Sequence, residues 1–355
     1  MRIILTGIAL ACGLLCAAAP VADTASYPAD HDYIRYTGRV DFSKAGQPKY
    51  WAPGVYFTFS FEGTYCVLLL NDEERWGKSH NYLQIQIDDQ PSYRIQTTGK
   101  ENRIVLASGL APGRHTVIVC KNTEAGIGYI QPVSLLCEKL LPPPPAPSRR
   151  IEFIGNSITC GMGNDASAIA CNTREWYDQH NAYMAYGPLT ARKLNARWQL
   201  TAESGIGLIH SCCNKKTTMP QVFDKINVAD DTIAWDFSRY QPDVVTVCLG
   251  QNDGIQDSTA FCNAYVQFLY HLRQYYPKAQ IVLLSSPMAG DDLKKVLTGY
   301  ITSVVNAMHR EKDKKISSYF FSKRYDKGCD YHPNMDEHKE MADELAAYLK
   351  GLMKW

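Results

Sequence analysis

Two textures of hydrophobic and polar positions divide the chain. From residue 33 to about residue 141 the apolar positions come in short runs, several alternating strictly with polar ones. Examples are residues 55–61 (Val-Tyr-Phe-Thr-Phe-Ser-Phe), 65–70, 82–87, 103–106 and 114–120. Turn pairs such as Asp88-Asp89 and Pro112-Gly113 separate them, and no long amphipathic helix interrupts them. Period-two alternation at this spacing predicts a β-sandwich over residues 30–141. The run Pro142-Pro143-Pro144-Pro145-Ala146-Pro147 follows. Proline has no N–H and a fixed φ, so this stretch is stiff and unfit for a sheet interior. It reads as a linker over residues 142–148.

After the linker, near-continuous apolar strands at 151–154, 198–202, 244–249 and 281–285 alternate with helical spacing at 182–195, 261–276, 293–309 and 335–353. In the second helix Phe261, Tyr265, Phe268, Leu269, Leu272 and Tyr276 share one face, and Pro277 ends it. In the last, Asn334 and Glu337 have capping-box spacing. Apolar strands between helices imply a parallel sheet covered on both faces, an α/β domain over residues 149–355. In such folds ligands bind beyond the carboxyl ends of the strands.

Composition narrows the function classes. The 37 Lys and Arg nearly balance 36 Asp and Glu, which argues against a nucleic-acid partner. The first 22 residues read as a secretory signal: Arg2, an apolar run from Ile3 to Cys16, then Ala17-Ala18-Ala19-Pro20-Val21-Ala22. That run is too short for an integral membrane span, so an exported, soluble product is expected. A lipoprotein is the alternative that Cys12 and Cys16 allow. Beyond the leader the cysteines form an even set, which permits disulfides without revealing their pairing. Cys160 and Cys171 make a plausible local loop, whereas Cys120 and Cys248 sit in strand-like runs as small buried hydrophobes. His210-Ser211-Cys212-Cys213 lacks the paired spacing of a zinc site, so no metal or other cofactor is expected.

The candidate chemistry lies at strand ends. Residues 150–155 are followed by Asn156-Ser157, where a tight turn can lift a serine out of the sheet. Downstream come Ser204-Gly205-Ile206-Gly207, then Leu249-Gly250-Gln251-Asn252-Asp253, then Asp330-Tyr331-His332-Pro333. Each block alone reads as a turn, a flexible loop or a solvent histidine. In this order they supply a nucleophile (Ser157), oxyanion donors (Ser157 N–H, a glycine N–H, Asn252) and a base (His332), the parts of an acyl-transfer site.

These blocks resemble the SGNH/GDSL hydrolase superfamily, whose marker residues fall on Ser157, Gly207, Asn252 and His332. Gly205 lies only two residues from the chosen glycine. A β-sandwich ahead of the hydrolase domain narrows the resemblance to carbohydrate esterase family 2. So do His115-Thr116-Val117, Lys121-Asn122-Thr123-Glu124-Ala125, Asn181-Ala182-Tyr183-Met184-Ala185-Tyr186-Gly187 and Gly328-Cys329-Asp330-Tyr331-His332-Pro333. The resemblance implies a three-layer α/β/α domain behind a jelly-roll-like sandwich, and a metal-free carboxylic ester hydrolase. It would act as an acetyl xylan esterase does, removing acetyl groups from cell-wall polysaccharides. A lipase-like acyl esterase and a non-catalytic glycan binder are the alternatives.

Two departures matter. Gly-Asn-Ser replaces the usual Gly-Asp-Ser. Asp330 stands two residues before His332, where most of the superfamily places the acid three before, here Cys329. Either the Asp330 carboxylate or a backbone carbonyl is left to orient the ring. Tyr331, Trp176 and Tyr177 are candidates for stacking on sugar rings, loop packing being their alternative role. Neither the oligomeric state nor the preferred hydroxyl position is legible.

Overall fold

The computed structural model describes residues 24–229 and 232–355. The leader read over residues 1–22, and its lipoprotein alternative, lie outside the described residues. The first domain contains β1 (Ala25–Pro28), β2 (Arg35–Thr37), β3 (Tyr56–Asp72), β4 (Tyr82–Ile87), β5 (Tyr93–Gln96), β6 (Glu101–Ser108), β7 (Arg114–Lys121) and β8 (Ile130–Leu141). They pair antiparallel in the order β1-β8-β3-β7-β4-β5, with β2 and β6 also on β3.

The two apolar runs at 55–61 and 65–70 are one strand of 17 residues, not two. Its first half, from Tyr56 to Glu62, pairs with β7, and its second, from Tyr65 to Asn71, pairs with β6. β8 accompanies both halves, its register slipping between Glu62 and Cys66. A slip of this kind bends a strand. One strand thereby serves both layers around a core that includes Phe57, Phe59, Leu68, Leu83, Val117 and Leu135. Glu62-Gly63-Thr64 has turn composition, which disguises this continuity in the sequence.

The linker is fastened along its length. The carbonyls of Pro142, Pro144 and Pro147 accept from Arg114, Arg35 and Arg197 at 2.6, 2.7 and 3.1 Å.

The second domain is a five-stranded parallel sheet of β9 (Arg149–Gly155), β10 (Ala196–Ala202), β11 (Val244–Cys248), β12 (Gln280–Leu284) and β13 (Ile316–Tyr319), in the order β10-β9-β11-β12-β13. Its helices are α1 (Ser157–Cys160), α2 (Tyr186–Lys193), α3 (Met219–Val222), α4 (Ser258–Tyr275), α5 (Asp291–Arg310) and α6 (Met335–Met353). Successive strand side chains go to opposite faces, as a pleat requires. Val245, Val247, Ile281 and Leu283 pack with Phe261 and Phe268 of α4 and Leu297 of α5. Val244, Cys248, Val282 and Leu284 pack with Tyr186 of α2 and Met341 of α6. Three layers result. β13 has no counterpart in the sequence reading, because an edge strand of Ile-Ser-Ser-Tyr has no apolar run to show. The helix expected from residue 182 is a 3-10 turn (Ala182–Met184) followed by α2.

The strand order reverses between β9 and β11, so the crevice of this sheet opens beyond their carboxyl ends. The two domains share an interface on its flank. Tyr56 of β3 stacks on Trp198 of β10 with centroids 4.0 Å apart, and the Trp198 indole N–H donates to the Gly54 carbonyl at 2.9 Å. Arg39, fully buried, meets Glu152 of β9 at 3.0 Å and donates to the carbonyls of Phe223 and Lys225.

Candidate active site

Ser157 sits where β9 stops. Asn156 is extended, and its side-chain oxygen accepts from the Ile158 N–H at 3.2 Å, capping the single turn α1. The preceding Gly155 cannot be another residue without rearrangement. A Cβ there would lie 2.0 Å from Thr159 Oγ1 and 3.3 Å from the Cys248 carbonyl. As the first residue of its turn, Ser157 has an N–H without an acceptor inside the helix.

His332 arrives from the other end of the chain. Its Nε2 lies 2.8 Å from Ser157 Oγ, across 175 residues. Its Nδ1 lies 2.9 Å from the main-chain oxygen of Asp330. Of the two candidates for orienting the ring, the carbonyl is the one in contact, and the Asp330 carboxylate makes no hydrogen bond to His332. Asp330 and Tyr331 both have left-handed φ, 51° and 57°, which folds the carbonyl back toward the imidazole and turns the carboxylate to solvent. A carbonyl can only accept, so it fixes the tautomer with hydrogen on Nδ1 and leaves Nε2 free to take a proton. The loop is pinned by bonds from Gly328 N to the His332 carbonyl (2.6 Å) and from Cys329 N to the Gly163 carbonyl (2.9 Å). Beyond it, Asn334 and Glu337 form the expected capping box of α6.

The third component is the glycine loop. Gly207, the glycine chosen from the sequence, is not on the cavity wall. Its N–H donates to Ser211 Oγ at 3.0 Å, and a Cβ on it would lie 1.9 Å from the His210 carbonyl. It serves a tight turn, held by the Asp253 carboxylate, which accepts from the N–H groups of Leu208, Ile209 and His210. Gly205, and not Gly207, faces the cavity. It has φ +80°, lines the cavity, and among the described residues no acceptor meets its N–H. Asn252, which follows β11, lines the same cavity. Its Nδ2 donates to the Ile206 carbonyl at 2.8 Å, leaving the second hydrogen of that amide for another acceptor.

The cavity that unites Ser157, His332, Gly205 and Asn252 measures about 490 Å³. Trp176, Met162, Met288, Lys215 and the Cys212–Cys213 pair are among the other residues of its walls, together with Glu124 and Gly126 from the first domain. Trp176 is half-exposed on the rim, at 48%. The other two aromatic candidates lie elsewhere. Tyr177 is 3% exposed in a small cluster with Tyr82 and Ile127, so it is a core residue of the domain interface. Tyr331 is 75% exposed and outside the cavity lining.

Burial governs the electrostatics. It holds the His332 imidazole below its ordinary value of 6.5, against the opposing pull of the Asp330 carbonyl and carboxylate charge. It pushes the Glu124 carboxyl up to about 7, with the like charge of Glu203 adding to the effect and Ser204 opposing it. Glu203 is raised too, chiefly by burial, although Lys215 stands 3.2 Å away.

The expected Cys160–Cys171 loop does not form. Cys171 bonds to Cys329, and Cys160 is buried and unpaired inside α1. Cys212 and Cys213 are bonded to each other. Cys120 and Cys248 are buried free thiols, as their strand positions imply. Among the described residues no three His, Cys, Asp or Glu side chains converge as a metal-ligand set. Nor, among them, is any helix long and apolar enough to cross a membrane.

Comparison with known proteins agrees with this architecture. The Carbohydrate esterase 2 N-terminal family model matches residues 36–144, and that of the GDSL-like Lipase/Acylhydrolase family matches residues 153–339. The chain is 32% identical to the cellulase/esterase CelE of Acetivibrio thermocellus, covering 92% of itself but 40% of that longer protein. It is 29% identical to an acetylxylan esterase/glucomannan deacetylase of Cellvibrio japonicus, over 94% of itself and 93% of the relative. Among solved structures, a family two carbohydrate esterase from Clostridium thermocellum in complex with cellohexaose superposes with a TM-score of 0.84. It is 32% identical, with 91% of this chain and 99% of that one covered. With both domain models matched in order and a solved member followed almost end to end, the chain belongs to carbohydrate esterase family 2.

Proposed function

We propose that the protein is an exported serine esterase that removes O-acetyl groups from plant cell-wall polysaccharides, acetylated xylan or glucomannan. The observation that carries the chemistry is the Ser157 Oγ to His332 Nε2 contact of 2.8 Å, with the ring's other nitrogen on a carbonyl. The substrate class rests on the relatives, one named for acetylxylan and glucomannan and another seen with a cello-oligosaccharide. Export accords with the leader and with the Cys171–Cys329 bond, since disulfides persist in oxidising compartments.

In this reading Ser157 Oγ attacks the acetyl carbonyl as its proton passes to His332 Nε2. The oxyanion is met by the N–H groups of Ser157 and Gly205 and by Asn252 Nδ2. Such donors act in a site of low dielectric, and removing one typically costs about 10²–10³ in turnover. The sugar leaves with the proton from His332, and water activated by the same nitrogen hydrolyses the acetyl-enzyme. Trp176 on the rim offers an aromatic face to a sugar ring.

Acetate release from acetylated xylan and acetylated glucomannan, with Ser157→Ala in parallel, tests the reading. Acetate from the wild type alone supports it and ranks the substrates. If neither polymer yields acetate while p-nitrophenyl acetate is cleaved, the chemistry stands and the substrate class falls. Silence on all three would leave a glycan binder.

A further inference from the structure

The run Lys121-Asn122-Thr123-Glu124, at the end of β7 and just beyond it, has four polar side chains, each at most 1% exposed. A sheet domain gains nothing for its own core from such a run, because burying charge without full pairing is unfavourable. The partners explain its placement. Lys121 Nζ donates to the carbonyls of Thr123 and Glu124 at 2.6 and 3.0 Å, drawing the main chain into a turn. Asn122 accepts from Ala182 N through its carbonyl and from Tyr183 N through its side chain, each at 3.2 Å. Glu124 spends both carboxylate oxygens on one residue of the other domain. Ser204 N–H donates to Oε2 at 2.7 Å, and Ser204 Oγ donates to Oε1 at 2.5 Å.

Ser204 immediately precedes Gly205, and Glu124 and Gly205 line the same cavity as Ser157. Holding Ser204 at both its N–H and its hydroxyl fixes where the next residue begins. Gly205, with its positive φ, has no side chain that could anchor it instead.

We propose that Glu124 is a positioning residue for ester hydrolysis: its two-point grip on Ser204 sets the Gly205 N–H where the oxyanion of the tetrahedral intermediate forms. The inference rests on the esterase reading above. It assigns the first domain a part in turnover, beyond packing or glycan binding.

Steady-state kinetics on p-nitrophenyl acetate and the affinity for methylboronic acid, whose serine adduct is tetrahedral, test it. The variants are Glu124→Gln, Glu124→Ala and Ser157→Ala in the full chain. Glutamine keeps the volume and one acceptor oxygen but places an NH2 where the second acceptor stood. The expected order of kcat is wild type, then Gln about three- to tenfold lower, then Ala lower again by a similar factor, since small misplacements of a donor are costly. KM stays within about twofold, and boronate affinity falls in step with kcat. Should Glu124→Ala fail to fold, the Gln variant decides alone. Wild-type kcat and boronate affinity in Glu124→Gln, whatever its melting temperature, would reduce Glu124 to an interface clamp and overturn the proposal. Full activity in Ser157→Ala would instead sink the esterase reading.

Discussion

The imidazole of His332 is oriented by the main-chain oxygen of Asp330, 2.9 Å from Nδ1, and not by the carboxylate of that residue. The side chain is therefore replaceable where the peptide is not. Asp330→Asn, which tolerates the left-handed φ of 51°, is expected to keep kcat within about threefold. Ser157→Ala and His332→Ala should each lose about 10⁴-fold or more. A p-nitrophenyl acetate assay of the three variants checks this. A loss in Asp330→Asn as deep as in His332→Ala would return the carboxylate to the triad.

The pH profile follows from the same ring. His332 works only when neutral, so activity falls as pH drops through its pKa, and burial holds that pKa below 6.5. The acid limb of kcat/KM should accordingly have its midpoint below 6.5, lower than an exposed histidine would give. The Asp330 charge pulls the pKa upward, so Asp330→Asn should move the limb further down. A midpoint at or above 7 in the wild type would contradict the role.

Cys171–Cys329 ties the loop that carries Trp176 to the residue just before Asp330. Its 158-residue span closes a long loop, and a bond of this kind typically contributes about 2–4 kcal/mol. Cys171→Ser with Cys329→Ser should lower stability by that order and reduce kcat more than it raises KM, because the histidine loop loses its staple. Denaturation and kinetics of the double variant are the measurements. Unchanged kcat would show that the Gly328 and Cys329 main-chain bonds suffice.

Arg39 and Glu152 are fully buried in each other's company between the domains, the guanidinium also 5.2–5.7 Å from the rings of Phe223, Trp235 and Phe237. Arg39→Ala leaves the Glu152 carboxylate in the core without its cation, with neutral partners such as Gln199 and Thr201. The expected cost is about 3–5 kcal/mol, read as a drop in denaturation midpoint. The double substitution Arg39→Met with Glu152→Gln should recover much of it.

What the chain discloses in one dimension depends on whether the signal is local. Ser157, Asn252 and His332 each stand in a short block after an apolar run or before a capped helix, and the fold brings all three to one cavity. The choice between Gly205 and Gly207 turns on Ser211, whose hydroxyl takes the Gly207 N–H, a contact no spacing reveals. The orienting oxygen belongs to the backbone, so no residue type announces it. Tyr177 has the composition of a loop aromatic and the position of a core one, because Tyr82 of the other domain covers it. Cys329 finds Cys171 across the whole second domain, where proximity in sequence favours Cys160. Glu124 lies in the Lys121-Asn122-Thr123-Glu124-Ala125 block, yet its partner Ser204 is 80 residues away.

The fastened proline linker bears on how such chains can be recombined. With Arg35, Arg114 and Arg197 holding its carbonyls, the run between the domains is a splint, and the halves it joins are cut to one another's shape. A crossover there between two diverged copies would pair an Arg39 with the wrong Glu152 and a Trp198 with the wrong Tyr56. The place that looks most like a seam is therefore a poor one at which to cut the chain.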